Sequence, residues 1–346
     1  MFSPFVYEAS PQRVVFGPGA VSRVADEAAK LGVGRALTVA TAGSGVRLGQ
    51  KVAELLGARS AGVHAQAVMH VPRAIAAAGT AAAKDARADG VVAVGGGSAI
   101  GLAKAIAHAT GLPIIAVPTT YSGSEVTAIF GLSEGDTKTV SRDLRVLPRT
   151  IIYDPDLTTG LPPAATAASG MNAIAHCVEA LWVPERTPVT SAFAAEALRL
   201  FVRQLPRAVA DGTDQLARSD CLTASWLAGA ALATGTGLHH KLAHVLGGYG
   251  LPHAETHAII LPHVTRFNLA DAPPIAESLA AALGGRDPAA VLTELLQRLP
   301  IPQRLRDVGF ERAKIEGAAL QIEALGIKEP RAATADDVRT LLMTAF

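Results

Sequence analysis

Between residue 13 and about residue 153 short apolar runs alternate with stretches of helical spacing, and after Asp154-Pro155-Asp156 the alternation stops. The runs at residues 14–16, 36–41, 90–94, 114–117 and 150–153 carry no charged side chain. A strand that is apolar on both faces must be covered on both, which points to a parallel sheet layered by helices. Helical spacing at residues 21–31, 48–56, 72–88 and 99–109 supplies the covers. The prediction is a doubly wound, Rossmann-like α/β domain over residues 1–156 and an all-α domain over residues 157–346. Turns such as Val183-Pro184 and Leu299-Pro300-Ile301-Pro302 break up the helical half. A chain of 346 residues accommodates two such cores. Open α/β sheets bind ligands beyond the carboxyl ends of their strands, and sites favour domain junctions, so the active site is expected in the cleft between the halves.

Charge narrows the function classes. Lys+Arg 31 nearly balances Asp+Glu 30, and no run of five basic residues occurs, so nothing gathers a polyanion such as nucleic acid. No apolar run reaches the roughly 18 residues of a membrane span. The start, MFSPFVYEASPQRVVFG, lacks the basic-then-apolar order of a secretory signal. A cytoplasmic protein is the expectation. Cys177 and Cys221 lie in apolar helical patterns, where a free thiol behaves as a small hydrophobe, and no disulfide is expected.

Two loops and three pairs carry the chemistry. The run Val91-Val92-Ala93-Val94 leads into Gly95-Gly96-Gly97-Ser98 and then into a helical pattern. Bare glycines admit a pyrophosphate close to the backbone, and a helix N-terminus offers unpaired N–H groups and a favourable dipole. The spacing is not the usual G-x-G-x-x-G, and a plain reversing turn is the alternative. The next apolar run ends in Pro118-Thr119-Thr120-Tyr121-Ser122-Gly123-Ser124-Glu125, whose hydroxyls suit ligand contact or a solvated turn. Two such loops after consecutive strands favour a dinucleotide groove. In the helical half, Asn172 with His176, His240 with His244, and His253 with His257 are each four apart, so each pair shares a helix face. Five of the 10 histidines fall in these pairs. A lone histidine is more often a core or surface residue than a ligand; three pairs beside Gly237, Gly247 and Gly248 point to a functional cluster.

In order and spacing these motifs resemble the iron-containing alcohol dehydrogenases. The resemblance runs through Gly95-Gly96-Gly97-Ser98 with Lys104, Pro118-Thr119-Thr120 with Gly123-Ser124-Glu125, Ser169-Gly170-Met171-Asn172-Ala173-Ile174-Ala175-His176, His240-Lys241-Leu242-Ala243-His244 and Leu251-Pro252-His253. It implies the fold shared with dehydroquinate synthases, a dinucleotide domain followed by a helical domain. It also implies NADH or NADPH as cofactor, with Gly95, Gly96, Gly97 and Ser98 at the pyrophosphate and Thr119, Thr120, Ser124 and Thr127 nearby. Metal-dependent members hold iron or zinc with one Asp and three His, at positions that correspond to Asn172, His176, His240 and His253 here. The carboxylate is absent. A hard ferrous ion prefers an anionic oxygen ligand, so no metal is expected, although three imidazoles alone can hold zinc.

Local features are similar to the maleylacetate reductase branch: Tyr121 within the second loop, the amide of Asn172, the doubled His239-His240-Lys241, and His253-Ala254-Glu255-Thr256-His257. That likeness implies reduction of the C=C bond of maleylacetate to 3-oxoadipate in bacterial degradation of aromatic compounds, without a metal. His240 or His244 would stabilise an enolate and supply a proton, with His176, Asn172 and His253 completing the site. A dicarboxylate substrate needs anchors, for which Lys241 and the basic segment from Arg142 to Arg145 are candidates, with Tyr121 and His257 as further substrate contacts. The second strand ends Val39-Ala40-Thr41-Ala42-Gly43 with no acid for a ribose diol, which leaves NADH against NADPH open. The family suggests a homodimer through residues 13–16. The rivals are a metal-dependent polyol or alcohol dehydrogenase and a dehydroquinate synthase-like lyase.

Overall fold

The computed structural model describes residues 4–134, 137–232, 235–328 and 330–346. The chain forms two compact units, Ala9–Leu161 and Pro162–Phe346, the second also taking in residues 4–8. The first unit is built on β1 (Arg13–Phe16), β2 (Ala36–Thr41), β3 (Ser60–Ala67), β4 (Gly90–Gly95), β5 (Ile114–Pro118) and β8 (Thr150–Tyr153), with a separate antiparallel hairpin of β6 (Ile129–Glu134) and β7 (Thr137–Arg142). The six-stranded sheet is parallel throughout, in the order β1-β8-β5-β4-β2-β3. Its helices are α1 (Val24–Lys30), α2 (Ser44–Leu56), α3 (Arg73–Asp85) and α4 (Gly97–Thr110).

Strand β4 shows why the apolar runs become central strands. Val91 and Ala93 join a core with Ile100, Leu102 and Ile106 of α4, whereas Val92 and Val94 join a second core with Val24 and Ala28 of α1 and Val52 and Leu56 of α2. Consecutive side chains point to opposite faces, so a strand between two helical layers has no position for a polar residue. Two pieces escaped the sequence pattern. Edge strand β3, Ser-Ala-Gly-Val-His-Ala-Gln-Ala, is only half-buried and tolerates polar residues, and in the hairpin β6 is half-buried while residues 139–142 of β7 are exposed.

Among the described residues the second unit contains nine α-helices and no strand: α5 (Pro163–Ala180), α6 (Pro188–Ala210), α7 (Gln215–Ala231), α8 (Leu238–Gly248), α9 (His253–Leu269), α10 (Pro273–Ala282), α11 (Pro288–Gln297), α12 (Ile315–Ala324) and α13 (Ala335–Ala345). Helix α5 is buried on nearly every face from Thr166 onward, which makes it the central helix against which α6, α7 and α9 pack. Gly170 admits α6 closely, because a Cβ there would lie 2.5 Å from Leu205 Cδ1. The turn at Val183-Pro184 separates α5 from α6, whose start is fixed by Pro188 and a capping box between Thr187 and Thr190. Cys177 and Cys221 are buried free thiols. Among the described residues no helix is long and apolar enough to cross a membrane.

Candidate active site

The three predicted pairs lie on α5, α8 and α9, and their rings meet inside the helical unit. His240 stacks on His176 at 5.0 Å between ring centroids and meets His257 edge-on at 4.6 Å. His253 lies 4.4 Å from His257 and stacks 6.0 Å from His244. Asn172, His176, His240 and His257 are buried, His253 is half-buried, and His244 is exposed at the rim. Burial is the main force on these rings, since a charged imidazole loses its hydration there, and mutual repulsion adds to it. It holds His176 and His257 well below the ordinary histidine range and pushes His240 down to about 3. At neutral pH the buried part of the cluster is a set of uncharged donors and acceptors.

Two members were not foreseen as site residues. Glu179, fully buried on α5, accepts the backbone N–H groups of His239 at 2.9 Å and His240 at 3.3 Å, and its other oxygen forms a short hydrogen bond with His240 Nδ1. Burial pushes its carboxyl up, against the pull of His239 and the surrounding backbone N–H groups. A buried acid that resists ionising and a buried base that resists protonation resolve as one neutral unit, with a proton shared on the line between Glu179 and His240. That leaves His240 Nε2, which has no partner among the described residues, as the working nitrogen. The signal was in the sequence: Asn172, His176 and Glu179 follow 4-then-3 spacing on one face of α5. The second is His239, whose Nε2 donates to the His257 carbonyl at 2.9 Å and whose burial pushes it down to about 4. Among the described residues, the donor atoms of His239, His240 and His257 converge within 4.8 Å of one another.

In the α/β unit the glycine loop caps α4 directly. Gly96 is the N-cap and makes no side-chain cap bond, so the first N–H groups of the helix stay available for an anion. Gly95 has φ 138, a conformation that favours glycine, and a Cβ on Gly96 would lie 2.8 Å from Thr120 Cγ2. The two predicted loops therefore touch, and Thr119 N–H donates to the Gly95 carbonyl at 3.1 Å. Gly97 is exposed, and Ser98, Thr119, Thr120 and Ser124 are half-buried, as ligand contacts would be. Thr127 is placed differently: its buried hydroxyl is held by Lys104 Nζ at 3.2 Å and the Ser124 carbonyl at 3.1 Å. Tyr121 is fully buried within this unit, and Arg142 is exposed on β7. Lys241 is exposed on α8, outside the buried ring cluster.

Both units match known proteins. Residues 11–155 match the family profile "Iron-containing alcohol dehydrogenase", and residues 166–346 match "Fe-containing alcohol dehydrogenase family, C-terminal". The chain is 45% identical to maleylacetate reductase of Sphingobium indicum, over 99% of this chain and 97% of that protein. It is similar to the crystal structure of maleylacetate reductase from Agrobacterium tumefaciens, at a TM-score of 0.95 and 41% identity, covering 100% of this chain and 99% of that one. It also resembles sulfoacetaldehyde reductase from Bifidobacterium kashiwanohense, solved in complex with NAD+, at a TM-score of 0.91 and 26% identity over 99% of each chain.

Proposed function

The chain belongs to the iron-containing alcohol dehydrogenase family, and from that premise we propose that it reduces the carbon–carbon double bond of maleylacetate to 3-oxoadipate. It is a nicotinamide-dependent oxidoreductase. The observation that carries the substrate reading is the buried amide of Asn172, one helical turn before His176 on α5, in a site whose buried rings are held neutral. The substrate is a dianion, and a carboxylate at position 172 would repel it.

The residues do not fit the iron for which the family is named. Three imidazoles and an amide are all neutral donors, whereas a hard ferrous ion seeks an anionic oxygen. The carboxylate that does reach the cluster, Glu179, is taken up by His240 Nδ1 and two backbone N–H groups. No step is assigned to a metal.

The nicotinamide cofactor supplies a hydride. The α4 N-terminus with Gly95, Gly96, Gly97 and Ser98 is suited to hold its pyrophosphate, with Thr119 and Thr120 alongside. No acid follows β2, so NADPH is expected to serve as well as NADH. Hydride adds to the alkene carbon next to the carboxylate, and negative charge passes to the ketone oxygen as an enolate. His240 Nε2–H stabilises that enolate and gives its proton to the alkene carbon beside the ketone, while Glu179 orients the ring and yields the shared proton to Nδ1, so that the ring stays neutral and the charge comes to rest on the Glu179 carboxylate. Conjugation does here what a Lewis acid does for a simple ketone. His244 and His253, at the rim, and exposed Lys241 are suited to meet the substrate's carboxylates. Edge strand β1, whose Phe16 is exposed, supports a homodimer.

The test is NADH oxidation with maleylacetate and simple aldehydes, and NAD+ reduction with glycerol, each with and without chelator. Turnover of maleylacetate that survives chelation is expected. Turnover confined to alcohol–aldehyde pairs and abolished by chelator would favour the metal-dependent rival, and product formed without loss of NADH absorbance would favour a lyase.

A further inference from the structure

Lys104 is completely buried on α4, seven residues beyond the glycine that opens the helix, and among the described residues its Nζ has no carboxylate in its hydrogen-bond shell. Its acceptors are the carbonyls of Ser124 at 2.6 Å, Thr127 at 2.8 Å and Ile129 at 2.8 Å, with Thr127 Oγ1 at 3.2 Å. Only an ammonium has three N–H donors to meet three short carbonyl contacts; a neutral amine has two. Burying such a charge is unfavourable unless every donor is used, and here every acceptor comes from one six-residue stretch. That stretch continues the loop after β5. Its 3-10 turn is held from two more sides: Tyr153 OH donates to Glu125 Oε1 at 2.7 Å, and Gln12 Nε2 donates to the Glu125 carbonyl at 2.9 Å. At its other end the loop rests on the glycine cradle through Thr119 and Thr120.

We propose that Lys104 is a positioning residue for the dinucleotide: it locks the loop after β5 onto the helix whose N-terminus receives the phosphates, so that both loops present one preformed surface to the cofactor. The proposal rests on the nicotinamide reading of the two loops. Preorganisation of this kind acts on affinity, because a loop that must be ordered on binding weakens the complex.

The experiment is a fluorescence titration of wild type and Lys104→Met with NADH, together with hydrogen exchange over residues 119–129. The variant should raise the NADH dissociation constant by about tenfold or more. Exchange should rise in that loop above the rest of the α/β unit, and the loss of affinity should exceed any change in kcat at saturating NADH. A lowered Tm with unchanged NADH affinity and no local rise in exchange would overturn the proposal and make Lys104 a stabilising residue only. Should Lys104→Met fail to fold, Lys104→Gln, which keeps two donors, and Thr127→Val, which removes one acceptor, are expected to give smaller shifts in the same direction. Wild-type affinity in both would overturn it equally. Wild-type protein that binds neither NADH nor NADPH would instead overturn the cofactor reading itself.

Discussion

Glu179→Gln is the substitution that separates the Glu179–His240 unit from the rest of the site with least disturbance. The shape is conserved, and the new amide oxygen can still accept the backbone N–H groups of His239 and His240 that Glu179 accepts at 2.9 and 3.3 Å. What changes is the bond to His240 Nδ1. The amide NH₂ can only donate there, so the ring keeps Nε2–H but loses the shared proton that passes to Nδ1 as Nε2–H leaves, and with it the charged Nδ1–H to carboxylate bond that then forms. A hydrogen bond to a charged group contributes about 1.5–3 kcal/mol, which corresponds to a loss of roughly 10- to 150-fold in kcat. The loss should appear in steady-state kcat with maleylacetate, while the NADH dissociation constant stays near wild type, because the glycine cradle is untouched. A solvent deuterium effect on kcat should grow in the variant as proton transfer becomes limiting. Wild-type kcat, or a loss that falls entirely on NADH affinity, would refute the role given to the pair.

Acid should unfold the helical unit earlier than its surface charges suggest. His176, His239 and His257 are held neutral in the folded state, so below the unfolded histidine pKa of about 6.5 the unfolded chain binds more protons, and stability present above that pH is lost as it falls. Each contributes about 1.4 kcal/mol between pH 7.5 and 5.5, or roughly 4 kcal/mol for three, with His240 left out because Glu179 shares its proton; denaturant melts at the two pH values check this, and equal midpoints would contradict it. Gly170→Ala should be destabilising by about 1–3 kcal/mol, because its Cβ would lie 2.5 Å from Leu205 Cδ1, and a thermal melt within a degree of wild type would show that α6 yields freely. Asn172→Asp should lower kcat/KM for the dianion about tenfold or more through like-charge repulsion and raise affinity for divalent metal in a dialysis assay, with unchanged values for both counting against the electrostatic reading.

The parts of this molecule legible in its sequence are those where one force acts alone. Strands β4 and β5 are covered on both faces, so burial removed every polar residue and left unbroken apolar runs. Strand β3 has a free edge and carries Ser60, His64 and Gln66, which hid it. The histidine pairs were legible because helical spacing brings i and i+4 together, and ring contacts on α8 and α9 follow that rule. Glu179 was passed over because a glutamate on a helix is ordinarily a solvated surface group; here it is buried and meets the first N–H groups of α8, a long-range contact that no local pattern encodes. Tyr121 shows the converse: its place in a polar loop marked it as a substrate contact, while the fold turns it fully inward. Thr127 sits where a cofactor contact was expected, yet its hydroxyl faces Lys104.

The central claim is that hydride goes to carbon of a conjugated double bond, and a labelled cofactor reads this directly. With NADH deuterated at the transferring position and maleylacetate as substrate, NMR of the product should show an intact ketone and deuterium on the former alkene carbon next to the carboxylate. Deuterium on a newly formed carbinol carbon, with the double bond retained, would make the protein a carbonyl reductase and contradict the account.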